Sequence, residues 1–201
     1  MISCPNVNKI KRICECLKKN KEEGVFGSIL EFGVFEGCSL LEMALFCREN
    51  KFDYPIYGFD GFVGQPYSEY HWNKGEAYST YENTCLELTK KLGNLDNIFL
   101  VKGLFENSLT EELKITIPKI PKAILIHIDC DFYLSSTQAL LFCESLIQDD
   151  TFIVFDEFIY PYEGLAWDEF IQRTKYKFEE IKFNKDEFGD LDDQKIFRII
   201  K

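Results

Sequence analysis

Four short apolar runs in this chain each end on an acid, and that repeat constrains the fold more than any other feature. Ile29-Leu30 runs into Glu31, Ile56-Tyr57-Gly58-Phe59 into Asp60, Ile124-Leu125-Ile126-His127-Ile128 into Asp129, and Phe152-Ile153-Val154-Phe155 into Asp156-Glu157. Apolar runs of this length, separated by helical stretches, read as buried strands of a parallel sheet. Ligands of open parallel sheets bind just beyond the carboxyl ends of the strands. Four strands that end on carboxylates therefore aim acidic groups at one crevice.

The segments between these runs carry helical periodicity. Val7, Ile10, Ile13, Cys14 and Leu17 recur at helical spacing between lysines over residues 6–20, an amphipathic leading helix within residues 1–24. Its Lys18-Lys19-Asn20-Lys21 end suits the helix dipole. Further helices are expected at Cys38–Glu49, Tyr81–Leu92, 135–147 and 164–174, with a short turn near 109–113. Strands are expected at Ser28–Phe32, 55–59, 98–101, Ala123–Ile128 and 151–155. Residues 61–80, rich in Gly, Tyr, Ser and Trp, suggest no regular element, and so long a connection in a compact domain points to a lid or substrate loop. The tail breaks the alternation: 178–183 and Lys195–Ile200 read as two strands around a polar loop, an antiparallel hairpin closing the sheet. The expectation is one α/β domain over residues 1–201, built on a Rossmann-like, seven-stranded, mostly parallel sheet.

Composition narrows the partners. Hydrophobic residues make up 46% of the 201, enough for a sizeable core. The net charge of −11 repels phosphate backbones and argues against nucleic acid. Met1-Ile2-Ser3-Cys4-Pro5 lacks a signal-peptide core, and no run of about 18 apolar residues exists, so no membrane partner and a cytoplasmic location are expected. The 8 cysteines include no C-x-x-C pair, and only His71 and His127 could join them in a metal site. Reduced thiols, with Cys47 and Cys143 as small apolar fillers, are the simpler reading.

The acids and glycines carry the candidate chemistry. Gly33 and Gly37 permit a tight turn with close ligand approach, in G-x-x-x-G spacing rather than the G-x-G-x-x-G of a pyrophosphate site. Ser39 can cap the next helix. Glu31 beside this turn suits a cationic or zwitterionic ligand with an amino group; the alternative is a βα turn with no ligand. Asp60 stands where nucleoside sites place a carboxylate on ribose hydroxyls, or else caps its own loop. Lys102-Gly103-Leu104-Phe105-Glu106 ends where an adenine would be covered. Asp129-Cys130-Asp131 and Asp156-Glu157 crowd carboxylates whose repulsion a hard cation relieves, and Mg²⁺ suits one or two carboxylates plus waters. Alternatively Asp131 and Glu157 face solvent or cap helices. His127, inside a strand, reads as buried and satisfied by backbone, whereas His71 in Tyr70-His71-Trp72 is a candidate for substrate contact or general base. Tyr133 and Trp167 line a substrate pocket or belong to the core.

Five segments together resemble the macrocin O-methyltransferase family. They are Glu31-Phe32-Gly33-Val34-Phe35-Glu36-Gly37-Cys38-Ser39, Gly58-Phe59-Asp60-Gly61-Phe62-Val63-Gly64-Gln65-Pro66, Val101-Lys102-Gly103-Leu104-Phe105-Glu106-Asn107-Ser108-Leu109, His127-Ile128-Asp129-Cys130-Asp131-Phe132-Tyr133-Leu134-Ser135-Ser136-Thr137 and Val154-Phe155-Asp156-Glu157-Phe158. They fall in the family's order over residues 31–158. The resemblance implies a class I methyltransferase fold that uses S-adenosyl-L-methionine to methylate sugar hydroxyls. It implies that Glu31, Gly33 and Ser39 surround the cofactor's methionine part and that Asp60 holds its ribose. Phe35, Gly61, Phe62, Gly103, Phe105 and Asp129 complete the expected cofactor contacts. It also implies a Mg²⁺ site of Asp129 with Asp156 and Glu157, where the family usually has two aspartates. The chain is shorter than typical members toward its N-terminus, where oligomer contacts would lie, and a homo-oligomer is one assembly it allows.

The expected reaction is methyl transfer to a hydroxyl of a small molecule, a sugar or glycosylated metabolite, with Mg²⁺ orienting the oxygen and Asp131 or His71 accepting the proton. Two rivals are an NAD(P)-dependent oxidoreductase, disfavoured by the missing G-x-G-x-x-G, and a non-catalytic cofactor-binding or assembly module.

Overall fold

The computed structural model describes residues 7–69, 71–116, 121–189, 191 and 193–200; the N-terminal residues 1–6 and Tyr70, read above, lie outside them. Along the chain run α1 (Val7–Glu22), β1 (Ser28–Phe32), α2 (Cys38–Glu49), β2 (Ile56–Asp60), α3 (Tyr81–Leu92) and β3 (Ile98–Lys102). Two single turns, α4 (Phe105–Ser108) and α5 (Leu113–Thr116), precede β4 (Ala123–Ile128), α6 (Tyr133–Cys143), β5 (Ile147–Phe155) and α7 (Glu163–Thr174). The tail holds β6 (Lys177–Glu180), α8 (Lys185–Phe188) and β7 (Lys195–Ile200). The seven strands lie in the order β3-β2-β1-β4-β5-β7-β6. The first five are parallel, and β7 runs antiparallel between β5 and β6.

Alternation along the strands sends side chains into two cores. Leu30, Phe32, Phe59, Ile126, Ile128 and Phe155 face Phe142 of α6 and Trp167 of α7. Ile29, Ile56, Leu125, Phe152 and Val154 face Ile13 and Leu17 of α1 and Leu40 and Met43 of α2. Burial on both faces is why these strands read as unbroken apolar runs.

The structure departs from the expected boundaries where apolar runs were too short to show a period. Ile147 pairs with Ala123 and belongs to β5, so α6 is shorter than residues 135–147. The turn expected near 109–113 is replaced by α4 and α5 on either side of it. The polar loop at 184–194 contains α8, whose first turn is capped by Asn184 accepting from the Asp186 amide at 2.9 Å. Six cysteines (Cys14, Cys16, Cys47, Cys85, Cys130 and Cys143) are free thiols, whereas Cys38, expected reduced with them, is disulfide-bonded. No helix among the described residues is long and apolar enough to cross a membrane.

The strand tips are locked to one another beyond the ends of the strands. The Gly33 amide donates to the Phe59 carbonyl, the Asp129 amide to Phe32 and the Asp156 amide to Ile128, each at 2.9 Å. Gly33 has φ 94°, and a Cβ there would stand 1.7 Å from the Asp129 carbonyl oxygen. The glycine is thus required by the close approach of β4's exit, whatever ligand lies nearby. Gly33→Ala is predicted to destabilise the fold by about 2–4 kcal/mol through this clash and the left-handed backbone; an unchanged urea midpoint would contradict it.

Candidate active site

A cavity of about 490 Å³ opens at the carboxyl ends of the parallel strands, within the size range of small-molecule sites. Gly33 and Phe35 follow β1, Asp60 and Gly61 end β2, and Asp129 and Asp131 follow β4. Phe105 and Glu106 of α4 and Glu157 after β5 complete the lower wall. Gln65, Tyr67 and Trp72, from the 61–80 segment, join the lining. Tyr67 stacks on Phe132 with ring centroids 4.7 Å apart, and Gln65 Nε2 donates to Asp131 Oδ2 at 2.6 Å.

Asp60 organises the turn above it. Its Oδ2 accepts from the Val34 and Phe35 amides at 2.8 Å, and its Oδ1 from the Phe62 amide at 2.6 Å. A carboxylate offers about four acceptor positions, so roughly one remains toward the cavity. Phe35, Phe62 and Asp131 adopt φ of 50°, 53° and 62°, non-glycine residues in the left-handed region. Such strain persists where surrounding structure over-determines it, commonly at ligand sites.

A row of charges lies under the cavity. The parallel register sets Glu31 beside His127 and His127 beside Val154, two residues before Asp156, all on the α1-facing side. His127 Nδ1 lies 3.0 Å from Glu31 Oε1, and Nε2 lies 3.8 Å from Asp156 Oδ1. Ser39 donates its hydroxyl to Glu31, while the α2 N-cap is Gly37 with no side-chain cap; Ser39 therefore serves the strand and does not cap the helix as expected. From α1, Lys9 Nζ reaches the Asp156 carbonyl at 2.7 Å, Asp156 Oδ2 at 2.9 Å and Asp193 Oδ2 at 3.0 Å. His127 is buried as expected, but its Nδ1 pairs with the Glu31 carboxylate rather than with backbone, and its Nε2 faces Asp156 beyond hydrogen-bond distance.

Burial opposes charge on this imidazole, yet the flanking Asp156 and Glu31 carboxylates outweigh it and raise its pKa well above the usual value. Burial likewise pulls the Lys9 ammonium down, and Asp156 and Asp193 turn the net shift upward. Asp156 is pushed up by burial but ends below the ordinary carboxylate range because His127 and Lys9 face it.

The remaining acids are under-compensated. Burial, then Asp156, pushes the Asp129 carboxyl well up. Burial and Glu157 push Asp131 up to about 6 against the Gln65 hydrogen bond. Glu163, the first residue of α7, is 1% exposed, neither carboxylate oxygen has a hydrogen-bond partner, and burial followed by Asp129 and Asp131 drives its pKa well up. Ligand atoms of His127, Asp129 and Asp156 lie within 4.8 Å of one another.

Of the residues singled out in the sequence, Gly33, Phe35, Asp60, Gly61, Phe105, Asp129, Asp131 and Glu157 line the cavity. Glu31 is fully buried beneath it with Ser39, and Asp156 is turned toward Lys9 and His127. Gly103, Phe62 and His71 are not in the lining; Phe62 packs edge-on against Tyr81. Glu157 lies outside the three-residue ligand cluster. Sequence reading missed Lys9, which looks like any solvated helical lysine, Glu163, which no motif marks, and Gln65, quoted only within a motif.

The sheet order and a cavity at the parallel strand tips define a class I methyltransferase fold. The macrocin-O-methyltransferase (TylF) family matches residues 5–183; the chain belongs to that family and is an O-methyltransferase. The O-methyltransferase NovP superposes with a TM-score of 0.78 at 18% identity, over 96% of this chain and 79% of that one. The calicheamicin methyltransferase CalS11 gives 0.74 at 17% identity, over 94% and 77%. An O-methyltransferase from Bacillus cereus in complex with SAH gives 0.59 at 14% identity, over 100% and 83%. At these identities the likeness is one of fold. No curated protein sequence matches the chain.

The raised pKa values fix how stability depends on pH. Asp131, Asp129 and Glu163 hold protons in the folded state that the unfolded chain has released above about pH 4, and His127 holds one above about pH 6.5. The folded state therefore binds more protons, and stability falls as pH rises through this window; the lowered Asp156 acts oppositely only below about pH 4. In chelator, the thermal midpoint is predicted to drop between about pH 5 and 8, with Asp131 alone contributing on the order of 2–3 kcal/mol. A flat or rising midpoint would contradict this.

Proposed function

We propose that the chain transfers a methyl group from S-adenosyl-L-methionine to a hydroxyl of a small molecule, a sugar or glycosylated metabolite, with Mg²⁺ assistance. The observation that carries the reading is Asp131. It is a cavity carboxylate raised to about 6, beside Asp129, on a strained backbone and under the 61–80 segment. Family membership supports the cofactor, and the sugar acceptor is supported by the family's name and by CalS11, described as a TDP-rhamnose 3'-O-methyltransferase.

S-adenosylmethionine supplies a sulfonium-bound electrophilic methyl. Gly33 and Phe35 border the position of its methionine part, Asp60 offers its remaining acceptor site to a ribose hydroxyl, and Phe105 covers the adenine side. Glu31 and Ser39 act from beneath by holding β1 and α2 together. Phe62 and Gly103 act through the backbone around Asp60: the Phe62 amide donates to Asp60 Oδ1 and the Gly103 amide to its carbonyl. Asp131 takes the acceptor's proton once Gln65 yields its Oδ2. Of the two expected bases, Asp131 is favoured over His71 because it lines the cavity and His71 does not.

The residues fit a hard dication: oxygen donors gather, and the buried Glu163 oxygens are orphaned beside them. Mg²⁺ would supply Lewis acidity that lowers the hydroxyl's pKa. Asp129 and Asp156 would hold it, with Glu157 the third expected ligand and His127 the third member of the cluster whose ligand atoms come together. The 61–80 segment serves as the lid.

Methyl transfer is predicted to fall as pH drops below about 6, the region where Asp131 takes up its proton. Asp131→Asn should cost ~100-fold or more in turnover while leaving cofactor affinity within a small factor; near-normal turnover would remove Asp131 from this role. Asp129→Asn should remove the response of the rate to chelator, and full activity of the native chain in chelator would refute the cation. Asp60→Ala should weaken cofactor binding ~10-fold, and unchanged affinity would refute the ribose contact.

A further inference from the structure

The imidazole beneath the cavity has one ring nitrogen that no described residue hydrogen-bonds. His127 is 1% exposed, and its Nε2 is buried without a partner. Asp156 Oδ1 stands 3.8 Å from it, beyond hydrogen-bond distance. Two ligand atoms of one dication stand roughly 3–4 Å apart when each bond is about 2.1 Å. Among the described residues, ligand atoms of His127, Asp129 and Asp156 come within 4.8 Å of one another, and Asp129 also lines the cavity. The other halves of the ring and of the carboxylate are already committed. Nδ1 lies 3.0 Å from Glu31 Oε1, and Ser39 donates to that same oxygen. Lys9 Nζ holds Asp156 Oδ2 at 2.9 Å, which leaves Oδ1 on the His127 side. Imidazoles that bind metal almost always give their other N–H to a carboxylate, a carbonyl or water, which fixes the tautomer and aims the free nitrogen.

We propose that His127 Nε2 is a ligand of the dication, beside Asp129 and the free oxygen of Asp156. A site so built binds a first-row transition dication, such as Co²⁺, more tightly than Mg²⁺. An all-oxygen set with waters suits Mg²⁺, whereas imidazole is a softer donor that transition ions hold better. Mg²⁺, supported by the carboxylates, is the weaker occupant of the same place. The carboxylates that raise the imidazole's pKa in the empty protein draw a dication to the same spot, and the ion takes the place of the Nε2 proton. Glu31 is then the outer partner that holds the ring, a role for an acid that lies outside the cavity lining. This inference rests on the dication of the proposed methyl transfer and adds a ligand and a class of ion.

The test titrates the metal-free full chain with Co²⁺ and with Mg²⁺ by calorimetry, without cofactor and at about pH 8, where protons compete less. Co²⁺ should bind ~10-fold or more tightly than Mg²⁺. The Co²⁺-loaded chain should show, in its proton NMR spectrum, an exchangeable imidazole N–H resonance shifted far beyond the ordinary range, from the Nδ1–H that Glu31 holds. In His127→Asn, whose amide can still donate to Glu31, that resonance should vanish and Co²⁺ affinity should fall ~10-fold or more, with Mg²⁺ affinity within a small factor. A cooperative thermal transition reports that the variant is folded. Equal affinities for the two ions, no shifted imidazole resonance in the native chain, or unchanged Co²⁺ affinity in the folded variant would overturn the proposal. Should the variant not fold, the two native-chain measurements decide it. If neither ion binds at millimolar concentration, the dication reading falls with it; if Mg²⁺ binds and the imidazole signal is absent, only this inference falls.

Discussion

A row of buried charges, Glu31 to His127 to Asp156 to Lys9, ties the centre of the sheet to its leading helix. Desolvating four ionisable groups is expensive, and the cost is offset only if each faces an opposite charge at close range. The parallel register meets that condition by setting Glu31 and His127 side by side on adjacent strands, with Asp156 one strand further. A one-residue slip of β4 would send His127 to the other core and leave Glu31 unpaired. The row therefore fixes the alignment of β1, β4 and β5, and with it the depth at which Asp129 and Asp131 emerge.

Above the row the electrostatics change sign of purpose. Asp156 is neutralised from within by His127 and Lys9; on Asp129 burial and Asp156 outweigh the pull of His127, and burial with neighbouring acids dominates Asp131 and Glu163. The fold thus compensates Asp156 from within and leaves Asp129, Asp131 and Glu163 more dependent on what enters the cavity. Such unsatisfied charge lowers stability in the empty protein and favours whatever positive species enters. Asp131 is further restrained, held by Gln65 from the overlying segment and placed on a left-handed backbone.

Much of the fold was legible because burial on both faces makes each central strand an apolar run, and because the acids at their ends interrupt those runs sharply. Asp60, Asp129 and Asp131 could be placed at the crevice for that reason. The partners of those acids were not legible. Glu31 sits on a strand end that looks ready for a ligand, yet register against β4 commits it to His127, a contact 96 residues away in sequence. Lys9 carries no sign of its burial, because a helix stripe is read from apolar residues and a lysine on it passes for solvated. Glu163 follows a loop with no periodicity, and the acids that act on it, Asp129, Asp131, Asp156 and Glu157, lie outside its own helix. Cys38, alone among the cysteines so described, departs from the reduced state expected of all.

The central claim is that locked strand tips present uncompensated carboxylates to a cationic cofactor and a dication in one cavity. Calorimetric titration with S-adenosyl-L-methionine, run with and without Mg²⁺, tests it most directly. The account predicts one-site binding that tightens when the cation is present. Absence of binding at millimolar cofactor, or an affinity indifferent to the cation, would contradict it.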